Sequence, residues 1–115
     1  MSKPVIDDQV FQELQATAGA DFVVELVDSF LEDAPLGLAA MQAAAAAGDA
    51  VSFRRHAHSL KSNGVTFGAT AFADAARALE HRSLVDLGAA APAQVDALAA
   101  LFEAAAADLK ARRHA

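Results

Sequence analysis

The residues of this chain that could do chemistry are few, and most lie together. Arg54 stands four residues before His58, Lys61 three after it and Ser62 four after it. On a helix these offsets share one side. Phe53, Ala57, Leu60, Gly64 and Phe67 recur at spacings of four, three, four and three, the mark of a buried helical stripe. Each residue turns the helix by about 100°, so His58 sits about 140° from the centre of that stripe and faces solvent. Ser62 lies farthest from the stripe, and Lys61 lies at its boundary. Imidazole titrates near pH 6.5 and is largely neutral and nucleophilic at pH 7. Cations within a turn of it can compensate the charge of an added phosphate. Taken alone, the same pattern reads more simply as an inert histidine on a solvated basic face.

Other chemistries find little support. His56 is two residues from His58 and faces another side of the helix, so the pair cannot chelate one metal; it reads as a flank-of-core residue. His81 lies near a helix end, where a charged imidazole is favourable, and His114 lies in the tail. Neither H-E-x-x-H nor a paired Glu-x-x-His arrangement occurs, so no metal site is expected. Cysteine is absent, which excludes disulfides and thiol catalysis. There is no glycine-rich phosphate loop, and 115 residues cannot also hold an ATP-binding domain, so no autonomous kinase activity is expected. Nine Lys+Arg against fifteen Asp+Glu give a net charge of -6, which argues against a general nucleic-acid binder. The acids dominate residues 1–50, where Lys3 is the one base, and the other bases begin at Arg54.

The length fits a single domain spanning residues 1–115. Alanine supplies 32 residues, there is no Trp or Tyr, and β-branched residues are few. Alanine favours helix and fills little space, so an all-α protein with closely approaching helices is expected. Asp7 or Asp8 can cap a first helix running to about Ala16, with Val5 and Ile6 placed to staple its start. A second helix starts near Asp21 and shows Phe22, Leu26 and Phe30 as its apolar side. Pro35 predicts a kink or restart before the pattern resumes through Leu38 and Met41 to Gly48. Asp49 caps a third helix that stops at Gly68. A fourth covers about Ala71–Arg82, residues 83–91 read as a loop, and Pro92 opens a last helix. Together these predict an antiparallel four-helix bundle with a short N-terminal covering helix. The apolar runs, such as Met41 to Ala47, are alanine-rich and short for a membrane span. Residues 1–4 lead into no long apolar region, so a cytoplasmic protein is expected. Met1 and the complete-looking tail fit a free-standing chain.

Residues 58–69 read His-Ser-Leu-Lys-Ser-Asn-Gly-Val-Thr-Phe-Gly-Ala. This run closely resembles the signature of histidine phosphotransfer (HPt) domains, H-x-L-K-G-S-[SA]-x-x-[LIF]-G-A. Phe30 to Pro35 resembles a helix turn common in bacterial members, and Ala47-Gly48-Asp49 resembles the opening of the histidine helix. The resemblance implies a phosphorelay protein in which His58 takes a phosphoryl group from a receiver-domain aspartate and passes it to another. It implies Lys61 as the phosphate-neutralising cation, with Arg54 assisting or steering an acidic receiver. No cofactor would be bound by this chain, because the receiver would bring the Asp, Mg²⁺ and its own Lys. Partners would be receiver domains of a response regulator or hybrid histidine kinase, engaged by a monomer. The expected docking residues are Phe11 and Leu14 on the first helix with Val65 beside His58, although Phe11 and Leu14 equally suit ordinary bundle cover.

A rival reading is a phosphorylation-incompetent helical adaptor that binds a receiver or kinase; the intact His58 and Lys61 oppose it. Ser62 departs from the family's glycine. On the HPt reading, size is the constraint there, because a partner must close over the histidine. Ser62→Ala should therefore accept phosphate as the parent does. Ser62→Arg should slow transfer from a phosphorylated receiver about tenfold or more, equivalent to ~1.4 kcal/mol of barrier, with an unchanged thermal melt.

Overall fold

The computed structural model describes residues 5–113. They form α1 (Asp8–Ala18), α2 (Ala20–Ala47), α3 (Ala50–Phe67), α4 (Thr70–His81), a single turn α5 (Leu84–Leu87) and α6 (Ala91–Arg113). Helices α2, α3, α4 and α6 make an antiparallel bundle, and α1 covers one side of it, the predicted architecture. Asp7 caps α1 by accepting from the backbone N–H of Gln9 and Val10. Asp49 caps α3 by accepting from Ser52 N–H. These bonds satisfy donors that a helix start leaves unpaired. Ile6 and Phe11, either side of the α1 cap, are both buried, the placement of a staple.

Four phenylalanines, one from each bundle helix, tie the core together. The ring of Phe30 (α2) lies 5.2 Å from Phe67 (α3), 5.9 Å from Phe72 (α4) and 5.4 Å from Phe102 (α6). Two of these contacts are edge-to-face, the geometry favoured by the ring quadrupole.

Four sequence expectations change. α2 runs unbroken through Pro35. The proline ring is exposed, while Phe30, Ala34, Leu38 and Met41 are buried on the opposite side. That packing outweighs the loss of one helical hydrogen bond. The apolar side of α2 is also rotated: Val23, Val27, Phe30 and Ala34 are buried, Leu26 is half-buried and Phe22 is exposed. A strict four-residue repeat drifts about 40° per step, so a straight buried stripe must alternate fours and threes. The expected 83–91 loop contains α5 and a 3₁₀ turn, Gly88–Ala90. Ser83 Oγ caps α5 by accepting from Asp86 N–H, and Leu84 and Leu87 are buried. Lastly, Leu84–Arg112 is long and apolar enough by composition to cross a membrane, contrary to the sequence reading. In the bundle Val95, Leu98, Phe102 and Leu109 of this segment belong to the core.

The tightest approach between helices is at Gly64. A Cβ there would lie 2.9 Å from Phe72 Cδ2 and 3.2 Å from the Ala73 Cα. Phe72 is locked among other rings and Ala73 Cα is backbone, so neither can yield cheaply. Gly64→Ala gains up to about 1 kcal/mol of helix propensity. It should nevertheless destabilise the fold by roughly 1–3 kcal/mol through overpacking, read as a fall of several degrees in the thermal midpoint.

Candidate functional site

Helix α3 carries His58 with its ring 59 % exposed. Directly across the α3–α4 seam stands Glu80, whose side chain is 10 % exposed. One carboxylate oxygen lies 2.5 Å from His58 Nδ1, and the other accepts from Lys61 Nζ at 2.7 Å. The Lys61 side chain is 21 % exposed, so its stem packs at the boundary while its head reaches the carboxylate.

Glu80 is held as a carboxylate. The hydrogen bond from Lys61, reinforced by His58 and opposed by burial, lowers its pKa from the ordinary 4.5 to about 2. A carboxylate only accepts, so the proton in the short bond is the ring's, on Nδ1. In the neutral ring Nε2 then keeps the free lone pair. The site thus presents a nucleophilic nitrogen of fixed identity, an ammonium beside it and open solvent in front.

Arg54 and Ser62 are exposed, as the helical wheel predicts, and Val65 is 53 % exposed. His56 is half-buried beside Leu36, Gly37 and Leu60, away from the His58 site. Phe11 departs from its expected docking role: it is 4 % exposed, with the Arg112 guanidinium 5.5 Å above its ring. A short helix with one apolar side turns that side inward, which leaves a partner little of the ring to touch. Leu14 is partly buried against the same core.

Glu80 is the residue that sequence reasoning missed. A signal existed: Ala73, Ala76 and Glu80 follow a three-and-four spacing, and Ala73 and Ala76 are buried. That spacing puts an acid on the seam of α4. The three-residue metal-ligand groups His, Cys, Asp and Glu can form are absent among the described residues.

The sequence profile of the Hpt domain matches residues 25–111. The chain belongs to the HPt domain family. Its structure is similar to the crystal structure of histidine-containing phosphotransfer protein B (HptB) from Pseudomonas aeruginosa PAO1. The TM-score is 0.89 at 31 % sequence identity, covering 98 % of this chain and 97 % of that one. No curated protein sequence matches the chain. HPt proteins carry phosphoryl groups in two-component signalling and are not themselves kinases, and they interact with receiver domains and kinases.

The Glu80 arrangement has a pH signature. Its folded pKa is below the unfolded one, so its stabilising effect is fully present above about pH 4.5 and is lost as pH falls towards 2. Between pH 5 and 2.5 the thermal midpoint of the parent should fall more steeply than that of Glu80→Gln. Parallel curves would show that the carboxylate pairs are energetically silent.

Proposed function

We propose that this protein relays a phosphoryl group between receiver-domain aspartates through His58. The observation that carries the reading is the contact of His58 Nδ1 with the Glu80 carboxylate in a site otherwise open to solvent. His58 Nε2 attacks the phosphorus of an aspartyl phosphate on the first receiver. The new N–P bond forms as the bond from phosphorus to the aspartate oxygen breaks, and the aspartate leaves as a carboxylate. The ring keeps its Nδ1 proton and becomes positively charged, and Glu80 opposite it balances that charge, much as a buried carboxylate supports an imidazolium in hydrolytic triads. An aspartate oxygen of a second receiver then attacks phosphorus, the N–P bond breaks, and the neutral ring is restored.

Transfer of this kind needs in-line positioning and charge neutralisation more than covalent chemistry from the protein. Lys61 has three donors, so it can hold Glu80 with one and phosphoryl oxygens with the others. The Mg²⁺ belongs to the receiver. Exposed Arg54 attracts the acidic partner, and small Ser62 leaves its approach clear. On this reading the bundle works as a monomer in the cytoplasm; the burial of Val95, Leu98, Phe102 and Leu109 in the core argues against α6 as a membrane span.

His58→Gln should keep the fold and abolish labelling by phosphorylated receivers, while His56→Gln keeps most of it. Lys61→Ala should slow transfer roughly tenfold or more, about 1.4 kcal/mol of barrier, without unfolding the bundle. Timed transfer from receivers charged with acetyl phosphate, with circular dichroism melts, checks both. Label retained on His58→Gln would overturn the assignment. Receiver binding by a parent that takes no label would return the chain to the adaptor reading.

A further inference from the structure

Two depressions adjoin His58 and share Val51, Arg54 and Glu80. One, of about 290 Å³, also touches Arg55 and His58. The other, of about 310 Å³, continues past His81 and Arg82 to Ser83 and Leu84 at the start of α5. They form one groove leading from the phosphoryl site along the N-terminal half of α3. Its charge is unusual for this chain. Arg54, Arg55 and Arg82 are exposed and none makes an ion pair with a described residue. Arg77 and Arg112, by contrast, pair with Asp74 and with Asp8 and Asp108. In a protein of net charge -6, carboxylates are plentiful, yet the three guanidinium groups lining this groove have none. The acid lining both depressions, Glu80, is engaged by Lys61 and His58. Val51, which lines both depressions, is 69 % exposed, and Val85, next to the lining Leu84 on α5, is 85 % exposed.

We propose that this groove seats an acidic segment, with apolar side chains at its edge, of the receiver that exchanges phosphate with His58. The inference rests on the relay reading and adds α5 and its flanking arginines to the interface. Guanidinium groups pair carboxylates through a planar fork, so unpaired arginines fit an acidic partner. The valines specify a protein surface, because a free anion gains nothing from them. The surplus of acids elsewhere on the chain repels a nucleic-acid polyanion. The occupant is the receiver because the groove opens at His58: a domain bringing an aspartyl phosphate to Nε2 must overlie it. Burial of Phe11 moves the docking centre away from that side chain, and Val51 and Val85 supply the apolar contact instead.

The test uses the full chain and the receiver, charged with acetyl phosphate, that labels the parent fastest among a set of purified receivers. Arg55→Glu combined with Arg82→Glu should raise the KM for transfer about tenfold or more at low salt and flatten its salt dependence. Val85→Asp should raise KM in the same direction. Lys110→Glu makes on α6 the charge change that Arg55→Glu makes alone, and should leave KM within about twofold where Arg55→Glu raises it, which separates the groove from net charge. Melts verify the fold, and Arg55→Glu alone, at an exposed site within α3, serves if the double variant melts early. Parental KM and salt dependence in the groove variants, with label still reaching His58, would overturn the groove proposal and leave the relay intact. A parent that takes no label from any receiver would overturn both.

Discussion

The close approach of α3 and α4 at Gly64 is the constraint on which the rest of the molecule depends. With no side chain there, Phe72 and Ala73 come against the α3 backbone. The two helices run antiparallel, joined through Gly68 and Ala69, so fixing one point fixes the register along the seam. Towards the N-terminus of α3 come Lys61 and then His58, and towards the C-terminus of α4 comes Glu80. The register set at Gly64 is what brings that carboxylate between imidazole and ammonium. Phe72 belongs to the ring cluster that joins all four bundle helices, so the site inherits its alignment from the core. The other end of the seam is pinned as well. Gly68 ends α3 with φ of 75°, and its carbonyl accepts from Asp7 N–H, which fastens the start of α1. A Cβ on Gly68 would lie 2.9 Å from Val10, so this junction also requires glycine.

The site divides its charges by exposure. His58 is open, as the proposed relay requires, and an open imidazole alone is held by little. Glu80 is largely covered and so is rigidly placed, yet Lys61 compensates the penalty of covering a charge. The covered carboxylate orients the exposed nucleophile, and the boundary lysine keeps that carboxylate ionised. This division explains how a chain with so few catalytic groups can take part in phosphoryl transfer. The helical scaffold supplies one oriented nitrogen and a local balance of charge.

Much of this was readable in the sequence. The stripe from Phe53 to Phe67 gave the orientation of α3, and Asp49 and Gly68 gave its ends, because caps and periodicity are local properties. The side of the bundle that His58 faces followed from the same wheel. What escaped were relations between helices. Glu80 acquires meaning only when α4 lies against α3 in a given register, and no local pattern states that register. The burial of Phe11 likewise depends on where α1 docks. Pro35 misled because its local penalty is legible while the packing that outweighs it is tertiary. The shift of the α2 stripe from Phe22 to Val23 came from following a four-residue repeat where the helix needs alternating steps.

The central claim is that Glu80 fixes the Nδ1–H form of His58 and so assigns Nε2 as the phosphoryl acceptor. Nitrogen-15 NMR of the labelled imidazole, recorded before and after phosphorylation by a receiver, tests it most directly. The account predicts that the neutral form of the His58 ring carries its proton on Nδ1 in the free protein, with phosphorus coupling to Nε2 after transfer. Coupling to Nδ1, or His58 resonances unmoved while the protein carries phosphate, would contradict it.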